Sequence, residues 1–394
     1  MKICHVFGYY DPELQGNDAE PAALLEKFPL VRELPAELAR LGHSVTVLHH
    51  YFRDAAIEQS GISYEFIKPS AASRSVGNVL SRFYRQAPYP YFQLSGGIQK
   101  RLKEIEPDII HYFGLTILPN LWLISRRAVQ NKIPLVVHYH GGSPVNQWPA
   151  RRLERKILPR LSRVLFTSGE QAAAWIDAGL APDKVRRVME TSTAFHYRDR
   201  RQARRESGLS GNPVFVSAGR LHPVKDPLTM LRGFARIAEE WSEARLYLFY
   251  RSEELLPQMK KIIANDPRLK ERVKLCGEAA HSEMESVLNS ADFYLQASRR
   301  EFSGYAVLEA MACGTIPVVT DIPSFREMTE GGRFGLLFPP GDDARLASRV
   351  LQFGRKNIST FPRKIRKKFD ATLSFPVLAK RIEEIYRGLL PGDE

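Results

Sequence analysis

The chain has 394 residues, 44% hydrophobic and 26% charged, an ordinary balance for a globular protein and enough length for two domains with large cores. Three widely spaced cysteines, Cys4, Cys276 and Cys313, exclude a disulfide framework and a CxxC metal pair, and no run reaches the ~18 apolar residues of a membrane span. The net charge of +13 favours anionic partners (nucleic acid, anionic lipid or phosphorylated ligands) without choosing among them.

Met1–Phe7 reads as a first β-strand rather than a leader, which makes a cytoplasmic protein the expectation. The loop after it, Gly8 to Asn17, holds Asp11, Glu13 and Gly16. Leu30–Leu41 has helical spacing and stops at Gly42, and Val45–Leu48 is a β-branched strand. Strands follow at Ile109–His111, Leu135–His138, Val164–Phe166 and Val185–Val188, mostly separated by helical stretches. Arg151–Arg163 carries Arg151, Arg152, Arg155, Lys156, Arg160 and Arg163 against one acid, Glu154. Leu153, Ile157 and Leu161 recur four apart, so this segment predicts a basic amphipathic helix with an anionic membrane surface as candidate partner. Tyr84, Tyr89, Tyr91 and Phe92, near Arg82 and Arg85, form a loose aromatic and basic cluster.

Tyr197–Glu206 is rich in arginine and poor in apolar residues, and reads as a linker. A second alternating series follows, with strands at Val214–Val216, Leu246–Phe249, Val273–Leu275, Phe293–Leu295 and Ile316–Val319. Asp226-Pro227 is a cap with proline at the first helical position, and Ser282 with Glu285 fits a capping box. Cys4 and Cys276 lie in strand-like runs where buried free thiols are common. Repeated strand–helix alternation predicts an α/β protein with parallel sheets covered on both faces. The expected domains are 1–200 and 206–375, both Rossmann-like, with a C-terminal helix at 376–394 packing back on the first. Such folds bind ligands at the carboxyl ends of their strands.

The densest chemical signal is Arg299 to Gly314. A strand there runs into Ser303-Gly304 and then an Ala- and Leu-rich helix, so backbone N–H groups and a positive dipole end form a phosphate site. Glu301 stands before the turn and Glu309 about two helical turns inside, placed to hold hydroxyls at opposite ends of one ligand, such as a sugar and a ribose. Spacing alone does not separate this pair from two solvated helix glutamates. A second strand–glycine–helix step, Val216 to Asp226, puts Arg220 and Lys225 five residues apart, where two cations neutralise a departing diphosphate. In the first half, His138 and His140 follow a strand just before Gly141-Gly142, within reach of a ligand.

Glu-Phe-Ser-Gly-Tyr-Ala-Val-Leu-Glu-Ala-Met-Ala-Cys-Gly-Thr-Ile-Pro-Val-Val, from Glu301 to Val319, resembles the signature of the family 4 retaining glycosyltransferases (glycosyl transferases group 1), whose fold is GT-B: two Rossmann-like domains with parallel sheets facing across a cleft. The resemblance implies that Glu301 contacts the donor sugar and Glu309 the nucleotide ribose. It implies that Gly304, Tyr305 and Ala306 meet the diphosphate, with Ser303 among the donor-binding residues in the place of the family's phenylalanine on the sugar-facing wall. Gly219, Arg220 and Lys225 match the family's Gly-Arg-Leu…Lys-Gly motif, with Asp226 in place of the last glycine as a helix cap. His140 aligns with a family histidine that approaches the donor sugar, with His138 as the alternative on the acceptor side. Gly16 stands in for a Gly-Gly pair missing from the N-terminal loop, and Asp11 is a candidate for an acceptor hydroxyl. Cys276 and Gly277 fall where the family holds its base, and Arg251 replaces a glycine motif near phosphate or base. Glu190-Thr191-Ser192-Thr193 replaces the usual Asn-Gly-Val-Asp.

The function so implied is retaining, metal-independent hexosyl transfer from a UDP- or GDP-sugar to a glycan, lipid-linked or small-molecule acceptor. No cofactor and no nucleic acid are expected, and the location is cytoplasmic or peripheral on the inner face of the membrane. The alternatives are a nucleotide-sugar epimerase on the same fold and, in another class, a basic nucleic-acid-binding protein.

Overall fold

The computed structural model describes residues 1–8, 20–70, 94, 96–145, 148 and 150–391. Asp11, Glu13 and Gly16, and the aromatic cluster around Tyr84, lie outside the described residues. The chain forms two compact units, Met1–Thr191 with Phe375–Glu394, and Ser192–Ser374.

The first unit is built on β1 (Lys2–Phe7), β2 (Ser44–His50), β3 (Ala55–Gln59), β4 (Ile62–Ile67), β5 (Ile109–Phe113), β6 (Leu135–His138), β7 (Arg163–Phe166) and β8 (Val185–Arg187). Their order is β3-β4-β2-β1-β5-β6-β7-β8, parallel throughout except for the β3–β4 pair. The central strands β5 and β6 are buried at every position, as a sheet covered on both faces requires. Strand alternation puts His5 and Phe7 of β1, His111 and Phe113 of β5, and His138 of β6 on one face. Their rings meet edge to face or face to face, with centroids 4.2–5.9 Å apart. The helix Phe375–Arg387 lies on this unit. Its Tyr386 Oη is 2.5 Å from His111 Nδ1 and 3.4 Å from His5 Nε2, and its Glu383 meets His43 Nε2 at 2.9 Å.

Burial pushes the pKa of His5 down to about 3 and that of His49 to about 4, and it lowers His111 and His138 well below the ordinary range. In the unfolded chain these rings titrate near ~6.5. The unfolded state therefore binds more protons below that pH, so the stability they permit is complete above pH ~6.5 and is lost as pH falls toward their folded values. His5 and His49 each cost roughly 2 kcal/mol at pH 5 relative to pH 7.5. We expect Tm to drop by several degrees between pH 7.5 and pH 5, and less in His5→Phe. A flat thermal-denaturation profile over that range would contradict the buried neutral state.

The second unit holds β9 (Val214–Ala218), β10 (Arg245–Phe249), β11 (Val273–Gly277), β12 (Phe293–Gln296), β13 (Ile316–Thr320) and β14 (Leu336–Phe338). All pair in parallel in the order β11-β10-β9-β12-β13-β14. The strand order reverses between β9 and β12, so the crevice at their carboxyl ends is the topological switch point of this sheet. Asp226 takes a left-handed conformation (φ 44°, ψ 52°) and its side chain accepts the Thr229 N–H at 3.3 Å. This opens the helix Pro227–Glu240, which buries Met230, Leu231, Phe234 and Ile237 against the sheet, Phe234 lying 5.4 Å from Phe215.

Several segments differ from what their sequence suggests. The arginine-rich stretch is not a bare linker: Arg200–Ser207 is a helix capped by Asp199, whose side chain accepts the Gln202 N–H at 2.9 Å. Arg200 and Arg204 reach Asp292 at 2.7 and 2.8 Å. That buried carboxylate needs cationic partners to offset its desolvation. The predicted basic helix is shorter, Ala150–Ile157, then a 3-10 turn at Leu158–Arg160, with Arg163 already in β7. Pro159 cannot continue the helix, because it lacks an N–H and clashes with the carbonyl four residues back. The capping interaction at the helix His281–Ser290 uses Glu283, which accepts the Ala280 N–H at 3.0 Å, while Ser282 lies inside the first turn. Cys276 is only half-buried, whereas Cys4 and Cys313 are buried.

Candidate functional site

The residues singled out in the second half gather at the carboxyl edge of the second sheet. Gly219, Arg220 and Lys225 follow β9; Arg251 follows β10; Cys276 and Gly277 end β11; Glu301, Ser303 and Gly304 follow β12. Two of these bends touch directly. Arg299 N–H donates to Val224 O at 2.8 Å, and the Arg299 guanidinium pairs with Asp226 at 2.8 Å. Lys225 Nζ then donates to Glu301 Oε1, which also accepts from Gln296 Nε2 at 2.6 Å and from Ser298 Oγ at 2.7 Å. Three donors thus converge on one oxygen of a carboxylate that is 11% exposed, leaving Oε2 without a partner among the described residues. Gly219, Arg220 and Lys225 line a shared recess with Pro227, Gln296 and Ala297. Arg220 is exposed there, able to swing toward an anion.

Gly304 begins the helix Tyr305–Ala312 from a left-handed conformation (φ 58°). A β-carbon at this position would sit 2.6 Å from the Phe325 ring, so only glycine allows the bend to close. No side chain caps this terminus. Val307 N–H closes onto Gly304 O at 2.9 Å, and the helix presents the positive end of its dipole at this start.

Glu309 does not join the Lys225–Glu301 knot. It is 5% exposed, and its Oε1 meets His281 Nε2 at 2.8 Å. Burial raises its carboxyl pKa, opposed by the hydrogen bond and charge of His281. Arg251 is mostly exposed and pairs with Glu278 at 2.9 Å, one residue beyond Gly277.

In the first unit His140 Nδ1 lies 2.9 Å from Glu190 Oε1, which fixes the ring's orientation. His138 is fully buried, its ring stacked 5.4 Å from His111. Its surroundings are therefore those of a packing position, unlike those of His140.

Gln296 and Ser298 are site residues that the motifs do not single out, although their i, i+2 spacing at the end of β12 puts both on the face that looks toward Glu301. His281 is another, and no local signal marks it.

Residues 212–355 match the family model described as glycosyl transferases group 1, and residues 30–188 match that of glycosyltransferase family 4. The chain is 31% identical over 162 residues to mannosylfructose-phosphate synthase of Agrobacterium fabrum, covering 39% of this chain and 35% of that protein. It is 26% identical to the GDP-mannose:cellobiosyl-diphosphopolyprenol alpha-mannosyltransferase of Xanthomonas oryzae pv. oryzae, covering 57% of this chain and 59% of that one. It therefore spans about a third to three-fifths of the length of these curated relatives. Its fold is similar to that of Anabaena Alr3699/HepE, solved with UDP-glucose, at a TM-score of 0.67 and 19% identity over 98% of both chains.

Proposed function

Because the chain belongs to the family 4 (group 1) glycosyltransferases and has their GT-B fold, we propose that it transfers a hexose-type sugar from a UDP- or GDP-sugar, with retention and without a metal, to a glycan, lipid-linked or small-molecule acceptor. The observation that carries this reading is the meeting of Lys225 and Glu301 at the switch point of the second sheet, beside an uncapped helix start. The donor diphosphate lies on that helix start, with Arg220 and Lys225 as its counter-charges. As the bond from C1 of the sugar to the phosphate oxygen breaks, its electron pair leaves with the diphosphate, and these fixed cations and dipoles stabilise the developing charge. The acceptor oxygen bonds to C1 from the leaving-group face, and its proton passes to the departing phosphate oxygen. Glu301 Oε2 accepts from a hydroxyl of the sugar, and Glu309 accepts from the ribose. Arg251, Cys276 and Gly277 border the base. In the first unit His140, held by Glu190, is assigned to the donor sugar. Support for the donor class comes from the GDP-mannose named for the Xanthomonas relative and the UDP-glucose bound by the Anabaena protein.

The test is nucleotide release from UDP-, GDP- and ADP-sugars with and without EDTA, followed by NMR of the product's anomeric configuration. Acceptor-dependent release of UDP or GDP, insensitive to EDTA, with retained configuration is expected. A new nucleotide-sugar formed without acceptor, or inversion, would overturn the reading.

We further assign the cationic face of the helix Ala150–Ile157 to an anionic membrane surface. Arg151, Arg152, Arg155 and Lys156 are exposed, Glu154 turns inward to accept the Val145 N–H at 3.0 Å, and Trp148 stands 75% exposed just before the helix. Interfacial tryptophan beside clustered cations is the composition that binds headgroups. No helix among the described residues is long and apolar enough to cross a membrane. The protein is expected to float with vesicles containing phosphatidylserine at low salt, and Trp148→Ala combined with Arg151→Glu and Arg155→Glu is expected to abolish this. Flotation equal to that on neutral vesicles would reject the assignment.

A further inference from the structure

His281 is the first residue of the helix His281–Ser290, which follows β11, and it is 28 residues from Glu309 in sequence. Its side chain is about two-fifths exposed while the carboxylate it meets is nearly buried. The ring is backed by Phe195, with centroids 4.8 Å apart, and runs nearly parallel to Tyr305 at 6.4 Å. Two aromatic neighbours therefore fix the plane of the imidazole, and its Nε2 points at Glu309 Oε1 at 2.8 Å. Glu309 Oε2 accepts no hydrogen bond among the described residues.

A carboxylate in such a place has two needs. Burial disfavours its charge, and with no second contact its plane would rotate. One ring N–H donated to Oε1 meets both needs and leaves the lone pairs of Oε2 in a fixed direction for a hydroxyl donor. The same role from a solvated lysine or arginine would carry more charge but less directional constraint, because such side chains keep many rotamers.

We propose that His281 is the positioning residue of the ribose site: it keeps Glu309 ionised and oriented, so that the nucleotide half of the donor is gripped before the chemistry begins. This rests on the assignment of Glu309 to the ribose made above. Because the contact acts on nucleotide binding rather than on the bond being broken, its loss appears in the donor KM and in nucleotide affinity, not in turnover at saturation.

The experiment measures KM and kcat with the UDP- or GDP-sugar active in the release screen, and the Kd of the matching free UDP or GDP by calorimetry, for wild type, His281→Ala, His281→Gln and Glu309→Ala. His281→Ala is expected to raise both KM and Kd about tenfold, with kcat within about twofold. The amide N–H of His281→Gln reaches the Nε2 position, so that variant is expected to recover most of the loss. Wild-type KM and Kd in His281→Ala, with both raised in Glu309→Ala, would overturn the role of His281 alone. So would a fall in kcat with KM unchanged, or a glutamine variant as impaired as the alanine one. Wild-type KM and Kd in Glu309→Ala would overturn the ribose assignment itself. Circular dichroism confirms that each variant folds; the glutamine variant keeps the comparison decisive where the alanine one does not.

Discussion

Lys225→Ala is expected to lower kcat/KM for the nucleotide-sugar by roughly 10²–10³-fold, most of it in kcat. Lys225 touches both halves of the proposed chemistry. It donates to Glu301 and lines the recess with Gly219 and Arg220. Removing it takes away a fixed cation from the departing diphosphate, where charge grows as the bond breaks, so the loss falls on the transition state more than on binding. It also releases one of the three donors on Glu301 Oε1, leaving Gln296 and Ser298. Two remaining hydrogen bonds keep that carboxylate satisfied, so the stability cost is about 1–3 kcal/mol and the fold survives. Lys225→Arg is expected to fall between, because the guanidinium keeps the charge but does not match the geometry of a point ammonium. The assay is steady-state release of nucleotide at saturating acceptor. A variant that turns over at the wild-type rate would remove Lys225 from the mechanism, and the diphosphate site with it.

Glu309→Ala is expected to raise the donor KM roughly 10²-fold without lowering Tm. The two halves of that expectation come from one fact. Glu309 is a carboxylate held almost entirely out of water, with burial raising its pKa and one histidine opposing the shift. A charge so placed is a liability to the folded state unless it is well paired. Replacing it by alanine removes the desolvation cost along with the contact to His281, whose ring is about two-fifths exposed and returns to water, so stability holds or rises. Function moves the other way, because in the proposed site the ribose hydroxyls lose a charged acceptor. Glu309→Gln, which keeps the volume but not the charge, is expected to lose most of the affinity too. Calorimetry with free UDP or GDP and thermal denaturation of the same samples check both halves. A fall in Tm with unchanged nucleotide affinity would make Glu309 a structural residue.

Much of the second unit is legible in the amino-acid sequence. The strand–glycine–helix steps at Gly219 and Gly304 are contiguous, and each carries its reasons locally: a glycine needed for a left-handed bend, a proline after a cap, an apolar helix face. The first unit is less legible. Its loop after β1 lies outside the described residues, and its histidines separate only on burial. His138 and His140 sit two apart at one strand end, and their spacing alone does not say that one is packed under rings while the other is paired with Glu190. The arginine-rich stretch departs from its expected role for a related reason. Its composition resembles a solvated tether, but Asp292, which its arginines serve, is far along the chain and gives no local sign.

The amino-acid sequence by itself determined the alternation of strands and helices, the two glycine bends, and which glutamates, lysine and arginine stand beside them, because each depends on neighbours within a few residues. The tertiary structure alone decided that Lys225 and Glu301, 76 residues apart, meet as hydrogen-bond donor and acceptor. It also decided that His281 holds Glu309, and that His138 is core while His140 is not. Those pairings arise where parallel strands return through crossovers to lie side by side: β9 and β12 become neighbours only after two intervening strands have been placed on the other side of β9. Spacing along a chain does not encode that return, whereas sheet order does.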